Sequence, residues 1–407
     1  MVNNILALQS EEWNTESVFD FSHKYESGGT TSESRNTLQS VLRSALATFP
    51  AEFDAKSLTN ATYMFYYCNN IESIPLIDTS NCTDFSYMFE GCQALTSVPQ
   101  LDTSKGTGFS YMFYSCSSLA TVPLLDTSNG TIFNSMFGFC QALISVPQLN
   151  TSKGTSFNSM FSGCKALISV PQLDTSNGSD FSYMFSGCPD TMEIPLLDTS
   201  NGTDFSGMFS SSKLSSVPNF DTSKGTNFRE LFRYSSLVTA PSLDTSNGTD
   251  FSFMFHFCKS LTSVPQLITS NGTNFQYMFY GCDTLTTLPA LDVSRGTDCK
   301  GMLQCLALAS LGTDSLTDSD GNTVKPWQFK VSIDFGYCPL DKASIECVMN
   351  NLQTVSSSPT LTISKTTALK ICGQTDRSYD YANDAHYLEM MSVCTGKGWK
   401  VAVNTSY

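Results

Sequence analysis

Apolar and polar positions alternate along this chain with a period of 24 residues. Met-Phe pairs or their equivalents fall at Met64, Met88, Met112, Met136, Met160, Met184, Met208, Leu231, Met254, Met278 and Met302, with two of the steps shortened to 23. In one coil the apolar set is Leu95, Val98, Leu101, Phe109, Met112, Phe113 and Cys116. Phe109, Met112, Phe113 and Cys116 sit at i, i+3, i+4 and i+7, and this spacing predicts a short helix with one buried stripe. Leu95 to Val98 predicts a strand. Proline follows it in ten coils, from Pro75 to Pro289, and each proline removes a ladder donor, so the parallel strand is limited to about three residues. The Leu-Asp-Thr-Ser-Asn-Gly-Thr run that comes next predicts a turn in which Asp closes an Asx-turn and Gly takes a positive φ.

A single 24-residue coil buries too little to fold by itself, and stacking supplies the remainder. The expected fold is therefore an α/β repeat solenoid, a leucine-rich-repeat-like right-handed stack of coils with short parallel strands and short helices, capped at both ends. Residues 1–57 do not repeat; Leu38, Val41, Leu42 and Leu46 at helical spacing predict an N-terminal helical cap. Residues 58–306 form the solenoid, and residues 307–407 a continuous C-terminal cap of longer strand and helix units. The two coils bounded by the 23-residue steps also lack the periodic Cys, as Ser210-Ser211-Ser212 and Arg233-Tyr234-Ser235 show, which predicts a local change in the turn.

Charge narrows the partners. The chain carries 22 Lys plus Arg against 37 Asp plus Glu, a net charge of −15, which opposes binding to nucleic acid or anionic lipid. No run approaches the roughly 18 to 20 apolar residues of a membrane span, and Met1 to Ser10 has no basic n-region followed by an apolar stretch. Folding in a cytosol without membrane insertion is expected. The 15 cysteines come mostly one per coil, at positions such as 68, 92, 116, 140, 164, 188, 258 and 282, which predicts buried free thiols, not a disulfide scaffold.

Candidate chemistry is sparse. His23, His256 and His386 are far apart and have no recurring acid or nucleophile spacing, so structural or surface roles are expected and no catalysis. The Cys column lacks the paired ligands of a zinc site. An Asp column at 78, 102, 126, 174, 198, 221, 244 and 292 is interrupted by Asn150 and Ile268, and each Asp can satisfy its own turn. Asp318-Ser319-Asp320-Gly321-Asn322 resembles the start of a calcium loop but lacks the later Glu, which favours a hairpin turn. No metal or cofactor is expected. Aromatics flanking the Met-Phe anchors are the best candidates for a ligand-binding face: Tyr63, Tyr66, Tyr67, Tyr87, Tyr111 and Tyr114 early, Tyr234, Phe253, His256, Phe257, Tyr277 and Tyr280 late. Exposed aromatics suit sugar rings or protein partners, while the competing reading is that they pack on neighbouring coils and caps.

The unit Met-Phe-x-x-Cys-x-x-Leu-x-x-Val-Pro-x-Leu-Asp-Thr-Ser-Asn-Gly-Thr-x-Phe resembles the BspA-like leucine-rich-repeat surface proteins, in their Met-Phe and Asp-Thr-Ser-Asn subgroup, over roughly residues 58 to 306. The closing Gly398-Trp399-Lys400-Val401-Ala402 is similar to the end of such proteins from gut bacteria and their phages. The resemblance implies surface adhesion, with host-surface glycan or protein as partner, or a virion or tail-associated role beside other virion proteins. A bacterial surface member carries an export signal; the expectation for this chain is therefore a virion, with the bacterial cell surface as the alternative. Gly replaces the family's common Val after Asn, which implies a more flexible turn.

Overall fold

The computed structural model describes residues 58–318 and 320–406. The expected N-terminal cap, including Ser34 to Ala47 and His23, lies outside the described residues. The chain divides into two compact units: the described part of Met1–Gly178 with Thr191–Leu197, and Ser179–Asp190 with Asp198–Tyr407.

The coils of the first unit are joined by two narrow parallel ladders. One runs through Ser145, Ser169 and Glu193, at the predicted strand. It is a row of single bridges, because the following proline ends the pairing. The second ladder, through Asp84, Gly108, Ile132 and Ser156, lies just before the Phe of each coil and was not foreseen. In the second unit the corresponding rows are Thr239 with Ser263, and Asp180, Asp204, Asn227, Asp250, Asn274 and Asp298.

The Met-Phe segment is not a helix. Phe109 to Cys116 forms consecutive turns, and Tyr111 and Ser115 have φ of 57° and 59°. Its N–H groups alternate between two destinations. Met112 and Tyr114 donate to Phe109 and Tyr111 within the coil, while Tyr111, Phe113 and Ser115 donate to Asn134, Met136 and Gly138 of the next coil. Every second donor thus builds a ribbon from coil to coil, and the backbone is satisfied without a helix. Spacing explains the choice. Packed helices need about 8–10 Å between axes, whereas paired strands repeat at about 4.8 Å. The turn ribbon follows the ladder spacing, and Phe65 and Phe89 stack at 5.3 Å between ring centroids, Phe89 and Phe113 at 5.4 Å.

The core of each coil is the predicted set. Phe109, Met112, Phe113, Cys116 and Leu119 are fully buried. The thiols are free, and each points at a carbonyl: Cys92, Cys116 and Cys140 Sγ lie 3.0, 3.1 and 2.9 Å from the Phe65, Phe89 and Phe113 oxygens of the preceding coil. Burial pushes the Cys140 thiol up to about 12. In the shortened coils Ser212 and Ser235 take the Cys position, both buried.

The Asp-Thr-Ser turn behaves as expected at Asp: Asp102 Oδ1 accepts from the amide and hydroxyl of Ser104 at 3.0 and 2.6 Å. The adjoining Thr103 hydroxyl is buried and donates to the Asp126 carbonyl at 2.9 Å, tying turn to turn. The turn glycine is different from expectation. Gly106 is not among the positive-φ residues; it is needed because a Cβ there would stand 2.7 Å from Cζ of Phe109.

In the second unit the pattern continues to Met302, where β1 (Thr287–Leu288) pairs with β2 (Ser310–Leu311). β3 (Leu316–Thr317) and β4 (Thr323–Val324) form the expected hairpin, with Asp318 Oδ1 accepting from the amides of Asp320 and Asn322. Three parallel strands follow in order, β5 (Ile333–Phe335), β6 (Thr360–Ser364) and β7 (Lys400–Asn404). Helices α1 (Lys342–Asn351), α2 (Lys365–Ile371) and α3 (Ala385–Gly396) connect them. α1 and α3 start at Asp341 and Asp384, whose carboxylates accept first-turn amides, the usual N-cap arrangement. α2 lies beyond the predicted elements. Among the described residues no helix is long and apolar enough to cross a membrane.

Candidate functional site

Two left-handed residues per coil set the direction of the flanking side chains, one just before the Met and one three residues after it. At these positions stand Tyr63 and Tyr67, Tyr87 and Gly91, Ser135 and Phe139, Tyr183 and Gly187, Phe253 and Phe257, and Tyr277 and Gly281, all with φ between 52° and 75°. A bulky residue in this region costs roughly 1 kcal/mol. Ring packing offsets it in two ways. Where the next coil has an aromatic residue the rings stack, as Tyr63 on Tyr87 at 4.6 Å and Tyr87 on Tyr111 at 4.9 Å. Where the next coil has glycine, the ring covers its backbone: a Cβ on Gly91 would be 2.9 Å from Tyr67, and one on Gly207 2.2 Å from Tyr183.

All six early candidates come together in the first unit. Tyr63, Tyr66, Tyr87, Tyr111 and Tyr114 are half-buried and Tyr67 is 39% exposed. Edge contacts join Tyr66 to Tyr63 and Tyr67, and Tyr114 to Tyr111. Two members were missed. Phe139, 43% exposed, extends the row by its edge contact with Tyr114. Glu90 lies beneath the tyrosines, and burial raises its carboxyl to about 7 against a partial offset from the Tyr67 hydrogen bond.

The six late candidates come together in the second unit. His256 is at the centre, 7% exposed, with its ring against Tyr234, Phe253, Phe257, Tyr277 and Tyr280 at 4.6 to 6.0 Å. Its Nδ1 is buried without a hydrogen-bond partner, and burial, reinforced by Arg233, lowers its pKa to about 4. Tyr234 is 48% exposed. Sequence reasoning missed the charged part of this cluster. Glu230 receives Arg229 at 3.0 Å and Arg233 at 3.1 Å, and Tyr183 reaches it from two coils away at 3.4 Å. The guanidinium groups lie over Phe253 and Tyr234, at 5.1 Å for Arg229 over Phe253 and 4.9 Å for Arg233 over Tyr234, within cation–π range. The Arg-Glu pair at the left-handed position was the available clue.

His386 stands apart on α3, with Nε2 2.6 Å from Glu346 of α1. Among the described residues no group of three His, Cys, Asp or Glu side chains could hold a metal ion. Both aromatic faces offer ring surface beside hydroxyl, carboxyl or guanidinium groups, which is the chemistry of recognition by stacking and hydrogen bonding.

The family model described as DUF285, Mycoplasma protein of unknown function, matches three overlapping stretches of the chain, residues 36–145, 121–217 and 203–310. No curated protein matches the chain. Among solved structures, a leucine rich cell surface protein from Faecalibacterium prausnitzii A2-165 aligns over 82% of this chain and 79% of that chain, with 16% identity and a TM-score of 0.33.

Proposed function

This chain belongs to the DUF285 family, and from that premise we propose that it is a non-enzymatic recognition protein whose aromatic ribbon faces bind host-surface glycan, with a protein partner as the second ligand class. One observation carries the reading: Tyr67, Phe139 and Tyr234 are held in left-handed conformations with 39 to 48% of their surface in solvent. Each ring packs on the next coil with one part and presents the rest to solvent, and the Tyr67 and Tyr234 hydroxyls and neighbouring charged groups suit a ligand that presents both C–H faces and hydroxyls. The reading leaves no role for the column thiols as nucleophiles: Cys92, Cys116, Cys140, Cys258 and Cys282 are buried and committed to Phe carbonyls.

A glycan array with the intact protein and with the Tyr67→Ala, Phe139→Ala, Tyr234→Ala triple variant tests the proposal. Binding by the parent and a loss of about tenfold or more in the variant, with unchanged melting, is the expected result. Equal binding by both removes the face as the site. The carrier, a phage particle in our first expectation or a bacterial cell surface in the second, is separated by gene neighbourhood. Capsid and tail genes alongside favour the virion, secretion or wall-anchor genes the cell.

A further inference from the structure

The coil-to-coil ribbon of the second unit ends in a way that leaves donors without acceptors. In the penultimate coil Phe275, Tyr277 and Phe279 donate their N–H groups to the carbonyls of Asp298, Lys300 and Met302 at 2.7, 2.8 and 2.9 Å. The equivalent donors of the last coil are Cys299, Gly301 and Leu303. None has an acceptor among the described residues, although all three residues are buried. Buried N–H groups left unpaired are costly and rare.

A groove of about 550 Å³ opens beside the first two of them, lined by Thr297 to Gly301 and Gln304 on one wall and Val331 to Asp334 on the other, with Tyr277 and Tyr280 at its side. The opposite wall is also a strand edge: among the described residues β5 pairs with β6 alone. The groove therefore lies where one strand of the second ladder is missing, between the last bridge at Asp298 and β5. Its volume lies in the range of ligand pockets, roughly 300–1,000 Å³. Two carboxylates, Asp298 and Asp334, and one ammonium, Lys300, are among the lining residues; Asp334 accepts from Gln304 Nε2 and from the Gly336 amide at 2.8 and 2.7 Å. Asp298 uses Oδ1 to cap its own turn at the Lys300 amide, and its Oδ2 has no hydrogen-bond partner among the described residues.

We infer that this groove binds an extended peptide strand, whose carbonyl oxygens accept from Cys299 and Gly301 and whose basic side chain meets Asp298. Strand addition at a free edge takes its affinity from main-chain hydrogen bonds and its selectivity from side-chain contacts. The charge surplus favours a lysine or arginine at the residue nearest Asp298. The inference is independent of the glycan reading, which concerns the aromatic faces.

The test is selection of a random decapeptide display library on the intact protein with counter-selection on Gln304→Tyr. That substitution puts a larger side chain on the groove wall at the cost of the Gln304–Asp334 hydrogen bond, and tyrosine is native at the equivalent positions 114 and 280. Enriched peptides carrying Lys or Arg are expected to bind at least about tenfold more weakly to Gln304→Tyr. A loss of a few-fold is expected with Asp298→Asn, a residue native at 227 and 274. Bound peptide should slow amide exchange at Cys299 and Gly301. The proposal is overturned if no peptide distinguishes the parent from Gln304→Tyr, or if binding leaves those two amides exchanging as before. It is equally overturned if the groove variant abolishes binding of array oligosaccharides while no peptide binds, since the site is then a sugar site. Loss of glycan binding in the aromatic-face triple variant bears only on the other reading.

Discussion

Two carboxylates, Glu90 in the first unit and Glu230 in the second, are each 8% exposed and each lie under an aromatic cluster on the same kind of turn ribbon. Glu90 has tyrosines around it, and burial lifts its carboxyl to about 7. Glu230 has two guanidinium groups at 3.0 and 3.1 Å and a tyrosine hydroxyl at 3.4 Å. One backbone design thus tolerates a buried acid by two routes, by letting it take up a proton or by pairing it. The ribbon fixes where the side chain points, while the neighbouring coils decide what that position can hold.

The largest test of this contrast removes the charge at each site. Glu230→Gln strands Arg229 and Arg233 and is expected to cost about 2 kcal/mol in the second unit, less than a fully buried pair because both arginines are partly exposed. Glu90→Gln is expected to change stability by less than about 0.5 kcal/mol below pH 4.5, where the acid is protonated in both the folded and the unfolded chain, and to stabilise the first unit at pH 7, where only the unfolded chain has released the proton. Urea denaturation read by amide exchange in each unit gives both values. Equal losses would mean that Glu90 is paired in a way its surroundings do not suggest.

Opposite responses to pH come next in size. His256 has a folded pKa of about 4 against an ordinary 6.5, so the unfolded chain takes up the proton first and stability is lost as pH falls from 6.5 towards 4. Glu90 has a folded pKa of about 7 against an ordinary 4.5. The folded chain keeps its proton after the unfolded chain has released it, and stability is lost as pH rises from 4.5 to 7. Exchange protection measured at pH 4.5, 5.5 and 6.5 should rise with pH around His256 and fall around Glu90. His256→Phe should flatten the first trend and Glu90→Gln the second. Trends of the same sign in both units would remove the distinction.

The core was legible because its cause is periodic. Phe109, Met112, Phe113 and Cys116 repeat in coil after coil, and repetition at 24 residues identifies the buried positions whatever backbone carries them. The backbone itself was misread for the same reason. Apolar residues at i, i+3, i+4 and i+7 face inward from a helix, but they do so equally from a ribbon of turns with left-handed residues at Tyr111 and Ser115. The clue was the column of residues three beyond the Met, where Gly91, Gly163, Gly187 and Gly281 recur among Tyr67, Phe139 and Phe257. The aromatic clusters were foreseen from their spacing. The link from Tyr183 to Glu230 was not, because it crosses two coils over Gly207, and a missing side chain leaves no mark in an apolar pattern.

A smaller effect follows from the thiol column. In the first unit Cys116 donates to Phe89, whereas in the second the Ser212 hydroxyl is buried without a partner. Serine is shorter than cysteine by the difference of a C–O and a C–S bond, so its oxygen stands farther than a sulfur would from the carbonyls of the preceding coil. Ser212→Cys is therefore expected to stabilise the second unit by about 1 kcal/mol and Cys116→Ala to destabilise the first by about 1–2 kcal/mol. Thermal melts of the two variants check the pair, and destabilisation by Ser212→Cys would show that the shortened coil has no room for sulfur.

The smallest effect separates Tyr67 and Tyr234, the two most exposed tyrosines among the described residues. Tyr67→Phe removes only a hydroxyl, but that hydroxyl lowers the Glu90 pKa, so its loss should push the carboxyl further up and extend the protonated range to higher pH. The change in stability at pH 7 is expected to be a few tenths of a kcal/mol. Tyr234→Phe keeps the ring that stacks on Phe257 at 5.4 Å and lies under Arg233 at 4.9 Å, and should leave the pH response of the second unit unchanged. The Glu90 carboxyl carbon, followed by NMR through a pH titration, reads the first shift directly. If Tyr67→Phe leaves that titration where it was, the tyrosine and the acid are neighbours without being coupled. Burial alone then accounts for the behaviour of the first cluster.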